Sequence, residues 1–443
     1  MPVADNDTFP TEGLAPGRRT VLKGMAAGAA GVAAFPLLAA CTGGSKGSSG
    51  GSTKQSKSTT FGSGGSDPTP KKAFQMTMDA FQKKTGDTVK INTVSHNDFQ
   101  NQISSYLQGS PDDAFTWFAG YRMKYYAAKG LVAPLDDVWE KLGTDNFGEG
   151  IVTASTGDDG KKYFVPNYNY PWAIFYRKSV FQSKGYNVPK TFDELKSLGA
   201  QMKKDGMIPF AFGDKDGWPA MGTFDYLNMR LNGYQFHVDL MAHKESWDQQ
   251  KVKDIFDNWK SILPLQDPQA LGLTWQESAN KMGAKKAGMY LLGSFVTQQF
   301  TDKTVSADVD FFPFPTLVEA NGQEAVEAPI DGFMLSKKGG NNSAAKDLLE
   351  FLGSPEGQNT YAKYDANQVV TNKKADLSVL TPLQKKSQQV IGDAKYISQF
   401  LDRDALPAFA NNVMIPALQS FLKSGNVDTK NLEAQAKALY AAQ

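Results

Sequence analysis

The sequence predicts an α/β protein with largely parallel sheets, and three observations carry that expectation. From residue 59 onward, short segments with period-two apolar alternation take turns with segments repeating at 3–4 residues. Gly and Pro punctuate the changes of period, where helices stop and turns begin. The chain has 443 residues and is 41% apolar, enough for two or three domains with real cores.

The elements follow in order. Residues 59–66 read as a strand running into a Gly-rich turn. Thr69 and Pro70 then open a helix as N-cap and first helical residue, Phe74, Met78 and Phe81 mark its apolar face, and Gly86 closes it. Residues 89–94 alternate as a strand, Phe99, Ile103, Tyr106 and Leu107 mark a helix, 114–118 form a strand, and 122–129 a short helix ended by Gly130. Two extended pieces, 163–166 and 173–176, are joined by 167–172. Phe192, Leu195, Leu198 and Met202 form one helical stripe, and 226–231 belong to a second helix. Strands are expected at 309–314 and 330–336, an amphipathic helix at 344–352, and helix from Thr381 to the end. No internal repeat is evident.

Charge excludes one class of partner. Lys and Arg number 47 against 46 Asp and Glu, a net charge of +1, with no long basic run. Nucleic-acid binding needs an electrostatic footprint that this chain lacks. The only cysteine, Cys41, cannot form an internal disulfide.

Residues 1–40 resemble an export address. Arg18-Arg19 forms a twin-arginine pattern, a weakly apolar run of sixteen residues fills 25–40, and Leu38-Ala39-Ala40 precedes Cys41. The run is shorter than the roughly 20 residues of a spanning helix. The pattern resembles a bacterial lipoprotein signal, in which Cys41 becomes the acylated first residue. Residues 41–58 are a flexible Gly/Ser-rich tether, and the body begins near Thr59. No later stretch is long and apolar enough to span a bilayer, so the expected place is the outer face of the cell membrane, on a lipid anchor.

Several local motifs occur in an order that resembles one family. They are Gly130-Leu131-Val132-Ala133-Pro134-Leu135-Asp136; Gly160 to Pro166 leading to Ile174-Phe175-Tyr176-Arg177-Lys178; Pro189-Lys190-Thr191-Phe192-Asp193-Glu194-Leu195; Gly288-Met289-Tyr290 with Gly293-Ser294-Phe295; Asp331-Gly332-Phe333; and Ala344-Ala345-Lys346 to Phe351-Leu352-Gly353-Ser354-Pro355-Glu356. The body is similar to the family 1 extracellular solute-binding proteins of bacterial sugar importers, the maltose-binding-protein group. That resemblance implies a two-lobe periplasmic-binding-protein fold of class II, joined by a multi-strand hinge with the ligand cleft between the lobes. It implies crossings near 168–172, near 312–315 and near Tyr361, with one lobe from 59–168 and 315–360 and the other from 169–314 and 361–443. It further implies a carbohydrate ligand captured by hinge closure, ABC permease subunits as partners, a monomer, and no cofactor or metal.

A pyranose has an apolar C–H face that suits an aromatic ring and hydroxyls that suit charged or amide groups. Aromatic candidates beside polar loop residues are Trp117 and Tyr121, Tyr170 and Trp172 at the first crossing, Trp218 in 213–219, Phe295 after Ser294, and Phe333. Tyr176, Trp139 and Trp259 fit core positions instead. Polar candidates are Asp67, Asp216, Ser294, Asp331 and Arg403. Asp67 equally fits helix capping, and Arg403 equally fits pairing with Asp402 or Asp404. His96 also follows a strand end near the same cleft, but a lone histidine there better fits a surface position. Trp172→Ala and Trp218→Ala are each expected to weaken sugar binding with folding largely intact.

Enzyme motifs are missing. The three histidines, His96, His237 and His243, form no His-Glu-x-x-His run, and neither a Walker motif nor a Gly-x-Ser-x-Gly elbow occurs. The remaining rivals are a secreted glycoside hydrolase using a carboxylate pair such as Asp216 with Asp331, and a ligand sensor for a membrane receptor.

Overall fold

The fold comes from a computed structural model that describes residues 56–442. The export address, Cys41 and most of the tether lie outside the described residues. Two sheets organise the body. The first contains β1 (Ser58–Ser63), β2 (Thr88–Thr93), β3 (Ala114–Phe118), β4 (Val165–Asn169), β10 (Ile330–Leu335) and β11 (Val369–Val370), ordered β11-β4-β10-β3-β1-β2. The second contains β5 (Trp172–Arg177), β6 (Ile208–Phe210), β7 (Ala287–Gly293) and β8 (Val309–Phe312), ordered β6-β7-β5-β8. A two-stranded parallel pair joins β9 (Ala325–Glu327) to β12 (Tyr396–Ser398).

The first sheet is less parallel than expected. β1 runs parallel to β2 and β3, but β10 inserts antiparallel between β3 and β4, and β11 is antiparallel to β4. β10 is the chain returning from the second sheet, so it enters from the opposite end. Phe61 of β1, Phe74 of the helix Pro68–Thr85 and Phe333 of β10 meet in one core with ring centroids 5.6–6.1 Å apart. The N-cap of that helix is Asp67 rather than Thr69, with Pro68 and Pro70 in the first turn, where no helical N–H is needed.

The chain leaves the first sheet through Tyr170-Pro171 between β4 and β5, at the first expected crossing. After β8 it stays on the second lobe, where Thr316 bridges to Thr191 and the Ala325 carbonyl accepts from Arg230, so it returns to the first sheet only at β10, later than the expected crossing near 312–315. The third crossing differs. Tyr361 is buried beside Phe74 in the first core, and Val369 and Val370 still pair with β4, so the first lobe extends beyond 360. The tail is also not helical throughout, because β12 interrupts it. Beyond β12, Leu401, Phe409, Met414, Leu418 and Phe421 join the core of the second sheet.

Around that sheet, two helices begin with reciprocal capping boxes, Thr191 with Glu194 and Thr274 with Glu277. The helix Pro219–Asn232 is buried over most of its length. The molecule is thus two α/β lobes connected by crossing segments. Among the described residues, no helix is long and apolar enough to cross a membrane.

Candidate functional site

A cavity of about 230 Å³ lies between the two sheets and is lined from both lobes. Its second-lobe wall is aromatic. Trp172, the first residue of β5, is 2% exposed and sits 6.2 Å from Trp218 and 6.3 Å from Phe295 by ring centroid. Trp275 and Tyr170 meet Phe295 edge-on at 5.1 and 5.4 Å. Glycine permits this crowding: a Cβ on Gly293, which pairs with Trp172, would come within 2.3 Å of the Phe295 ring and 2.9 Å of Tyr170. On the first-lobe wall, Trp117 and Phe118 end β3 with centroids 5.0 Å apart. His96 stands 6.4 Å from Trp218 across the cleft. Burial first, then the positive field of Arg403, lowers His96 to about 4, so its imidazole is neutral at pH 7.

One cation organises the polar side. Arg403 donates from Nη1 to Asp331 Oδ1 at 2.5 Å and from Nη2 to the Tyr170 hydroxyl at 3.0 Å, and its guanidinium lies 4.0 Å from the Phe118 ring centroid. Burial raises the Asp331 carboxyl, with Arg403 opposing. For Arg403 itself, burial disfavours the charge, but Asp331 and then Tyr170 and Asp402 more than offset it and keep the guanidinium protonated. Across the cleft, Gln276 Nε2 donates to both carboxylate oxygens of Asp67 at 3.5 Å. The Asp67 side chain caps nothing in its own helix, and burial raises its pKa while Gln276 opposes.

Four buried polar atoms on this lining have no hydrogen-bond partner within the protein: Nε1 of Trp117 and of Trp218, Nδ2 of Asn167 and Oε1 of Gln368. Arg403 Nε and Asp402 Oδ1 also make no hydrogen bond, but they face each other as an ion pair at 3.8 Å. Buried polar groups are ordinarily satisfied. Unsatisfied donors and acceptors on one aromatic cavity suit a ligand whose groups both donate and accept, as hydroxyls do.

Of the residues singled out in the sequence, Asp67, Trp117, Tyr170, Trp172, Trp218, Phe295, Asp331, Phe333 and Arg403 line the cavity. Three do not. Ser294 is buried and its hydroxyl donates to the carbonyl of Asn367. Tyr121 heads the helix Tyr121–Ala128 and packs against the second-lobe core. Asp216 lies off the lining, so Asp216 and Asp331 are not brought together as a hydrolase pair. His96 does reach the cleft. Sequence reasoning passed over Phe118, Trp275, Gln276, Gln298 and Phe400 on the same lining. The capping box at Thr274 was a usable signal for Trp275 and Gln276, because it fixes where that helix starts.

The turn that carries Trp218 is anchored by Asp214, which is 0% exposed and accepts from the Ala220 N–H at 2.8 Å. Gly217, with φ of 81°, closes the turn, and a Cβ there would come within 2.2 Å of Ile415. Burial pushes the Asp214 carboxyl from 3.8 to about 8, with the Ala220 N–H opposing and Asp216 adding. A raised folded-state value contributes stability that is present below the unfolded value and lost as pH rises toward 8. Asp214→Asn is therefore expected to flatten the fall of stability between pH 4 and 8 by a few kcal/mol (about 1.4 kcal/mol per pKa unit), read from urea melts across that range.

Comparison with known proteins agrees with this architecture. Residues 65–359 match the family model described as bacterial extracellular solute-binding protein. The solved solute receptor AcbH, described as having an exclusive preference for β-D-galactopyranose, is 44% identical with a TM-score of 0.84, covering 86% of this chain and 99% of that one. An uncharacterized ABC transporter extracellular-binding protein of Pyrococcus horikoshii is 26% identical over 364 residues, 80% of this chain and 79% of that one. The alpha-glucosides-binding periplasmic protein AglE of Rhizobium meliloti is 25% identical over 341 residues, 71% of this chain and 69% of that one. With two lobes, an aromatic cleft between them and a family match over most of the body, the chain belongs to the bacterial extracellular solute-binding proteins.

Proposed function

We propose that this chain captures a single uncharged hexopyranose, of the D-galactose type, by closing its two lobes, and delivers it to the membrane subunits of an ABC importer. The observation that carries the reading is the cavity itself: aromatic faces on both walls, an Arg403–Asp331 pair, and four unsatisfied polar atoms. Its volume of about 230 Å³ lies just below the ~300–1,000 Å³ of typical small-molecule sites, which favours one ring over a chain of rings. The likeness to AcbH supports a galactopyranose, and the ABC transporter relatives support the permease partner.

On this reading the chain works as a monomer at the outer face of the membrane. It is exported by the twin-arginine pattern and held by an acyl group on Cys41. It binds its sugar without cleaving it. The cleft contacts are Asp67, Trp117, Tyr170, Trp172, Trp218, Phe295, Asp331, Phe333 and Arg403, joined by His96 and Gln276.

A thermal-shift screen of the full chain against monosaccharides and oligosaccharides tests the function. A ligand that binds only the native state adds about 2.7 kcal/mol of stability at a hundredfold excess over its dissociation constant. The expected outcome is a raised midpoint with D-galactose and recovery of the sugar intact. Breakdown of the sugar would replace binding with hydrolysis, and a shift confined to oligosaccharides would displace the single-ring reading.

A further inference from the structure

Phe400 has φ 103° and ψ 141°, a backbone region that glycine alone adopts readily. The other described non-glycine residues with positive φ, His243 and Lys285, have φ of 52° and 61°, within the ordinary left-handed range, far from the 103° of Phe400. Phe400 also lines the ligand cavity, and its ring centroid lies 4.7 Å from that of Trp172. Three residues later comes Arg403. Strain of this kind persists only where the surroundings over-determine it, and here they do. The N–H of Leu401 donates to Asp225 Oδ2 at 2.7 Å, and the N–H of Gln399 donates to Asp404 Oδ2 at 2.9 Å. The Phe400 carbonyl accepts from the N–H groups of Arg403 and Asp404 at 2.8 and 2.9 Å. Asp225 is 0% exposed and reaches the turn from the helix Pro219–Asn232, supplying from outside the cap that Phe400 cannot give the short helix Leu401–Asp404.

We propose that Asp225 and Asp404 are positioning residues for the sugar site: gripping the backbone on either side of Phe400, they hold its strained turn so that the Phe400 ring and the Arg403 guanidinium meet the ligand. The proposal rests on the sugar-binding reading above and adds how the site is held in shape. A relaxed turn swings the ring off Trp172 and displaces the root of Arg403.

The test uses the full chain with D-galactose as probe, titrated calorimetrically, alongside thermal melts and tryptophan emission. Asp225→Ala is expected to weaken binding about tenfold or more, the effect of one lost hydrogen bond with its buried partner left unpaired, and to shift the emission of Trp172. Asp225→Asn retains an acceptor oxygen for Leu401 and is expected to bind within about threefold of the parent. Phe400→Gly is expected to melt above Phe400→Ala, the reverse of the usual order for these two residues, while both bind more weakly for want of the ring. An Asp225→Ala variant that binds as tightly as the parent overturns the proposal, as does Phe400→Ala melting above Phe400→Gly. A parent chain that binds no sugar overturns the functional reading and, with it, the ring's role toward sugar, and the order of the two Phe400 melts still judges the clamp independently.

Discussion

Arg403→Ala is expected to weaken sugar binding at least about 100-fold and to lower the melting midpoint of the unliganded chain. Arg403 is the hub of the polar side of the cleft, bound to Asp331 on β10 and to Tyr170 at the first crossing. Both partners are buried or half-buried, and Asp331 would be left without its counter-charge. Removing one member of a buried ion pair costs about 3–5 kcal/mol. A hydrogen bond from a charged group to ligand adds about 1.5–3 kcal/mol, and each 1.4 kcal/mol is about tenfold in affinity. Arg403→Lys keeps the charge but cannot fork onto Asp331 and Tyr170 together, so an intermediate loss is expected. Calorimetric titration with sugar, paired with thermal melts of the free proteins, separates the two effects.

Trp172→Ala and Trp218→Ala are expected to part company, contrary to the sequence-based expectation that both leave folding intact. Trp172 is 2% exposed, packs against Phe400 and sits so close to Gly222 that a Cβ there would come within 2.4 Å of its ring. Its carbonyl also accepts from the Tyr226 hydroxyl. Truncation leaves a cavity in the second-lobe core and is expected to cost about 3–5 kcal/mol of stability as well as affinity. Trp218 is half-buried at the cleft, so its truncation is expected to spare most of the stability. It forfeits contact with ligand of about 1.5–3 kcal/mol, a loss of roughly 10–100-fold in affinity. Urea melts of the two variants, with titrations of each, read the contrast directly.

Much of this molecule is legible in its sequence because its local signals agree with its fold. The spacing of Phe74, Met78 and Phe81 gives the first helix, and all three are buried. The aromatic loop at Tyr170 and Trp172 falls on the crossing, where residues from both lobes meet. What stays hidden is non-local or is settled by the direction of a single turn. The pairing of β9 with β12 joins segments about seventy residues apart and leaves no periodic trace. In the loop Asp214-Lys215-Asp216-Gly217, composition favours neither carboxylate. The hydrogen bond to Ala220 turns Asp214 fully inward, while Asp216 remains partly exposed and off the cavity. Phe400 owes its place to a backbone conformation that is unusual for phenylalanine, so propensity points away from it.

Calorimetric titration of D-galactose into the parent chain, repeated with Arg403→Ala and Trp218→Ala, tests the central claim most directly. The account predicts saturable one-to-one binding by the parent and a loss of at least about tenfold in each variant. A parent chain that binds no monosaccharide, or variants that bind it as tightly as the parent, would contradict the assignment of this cleft to a single sugar ring.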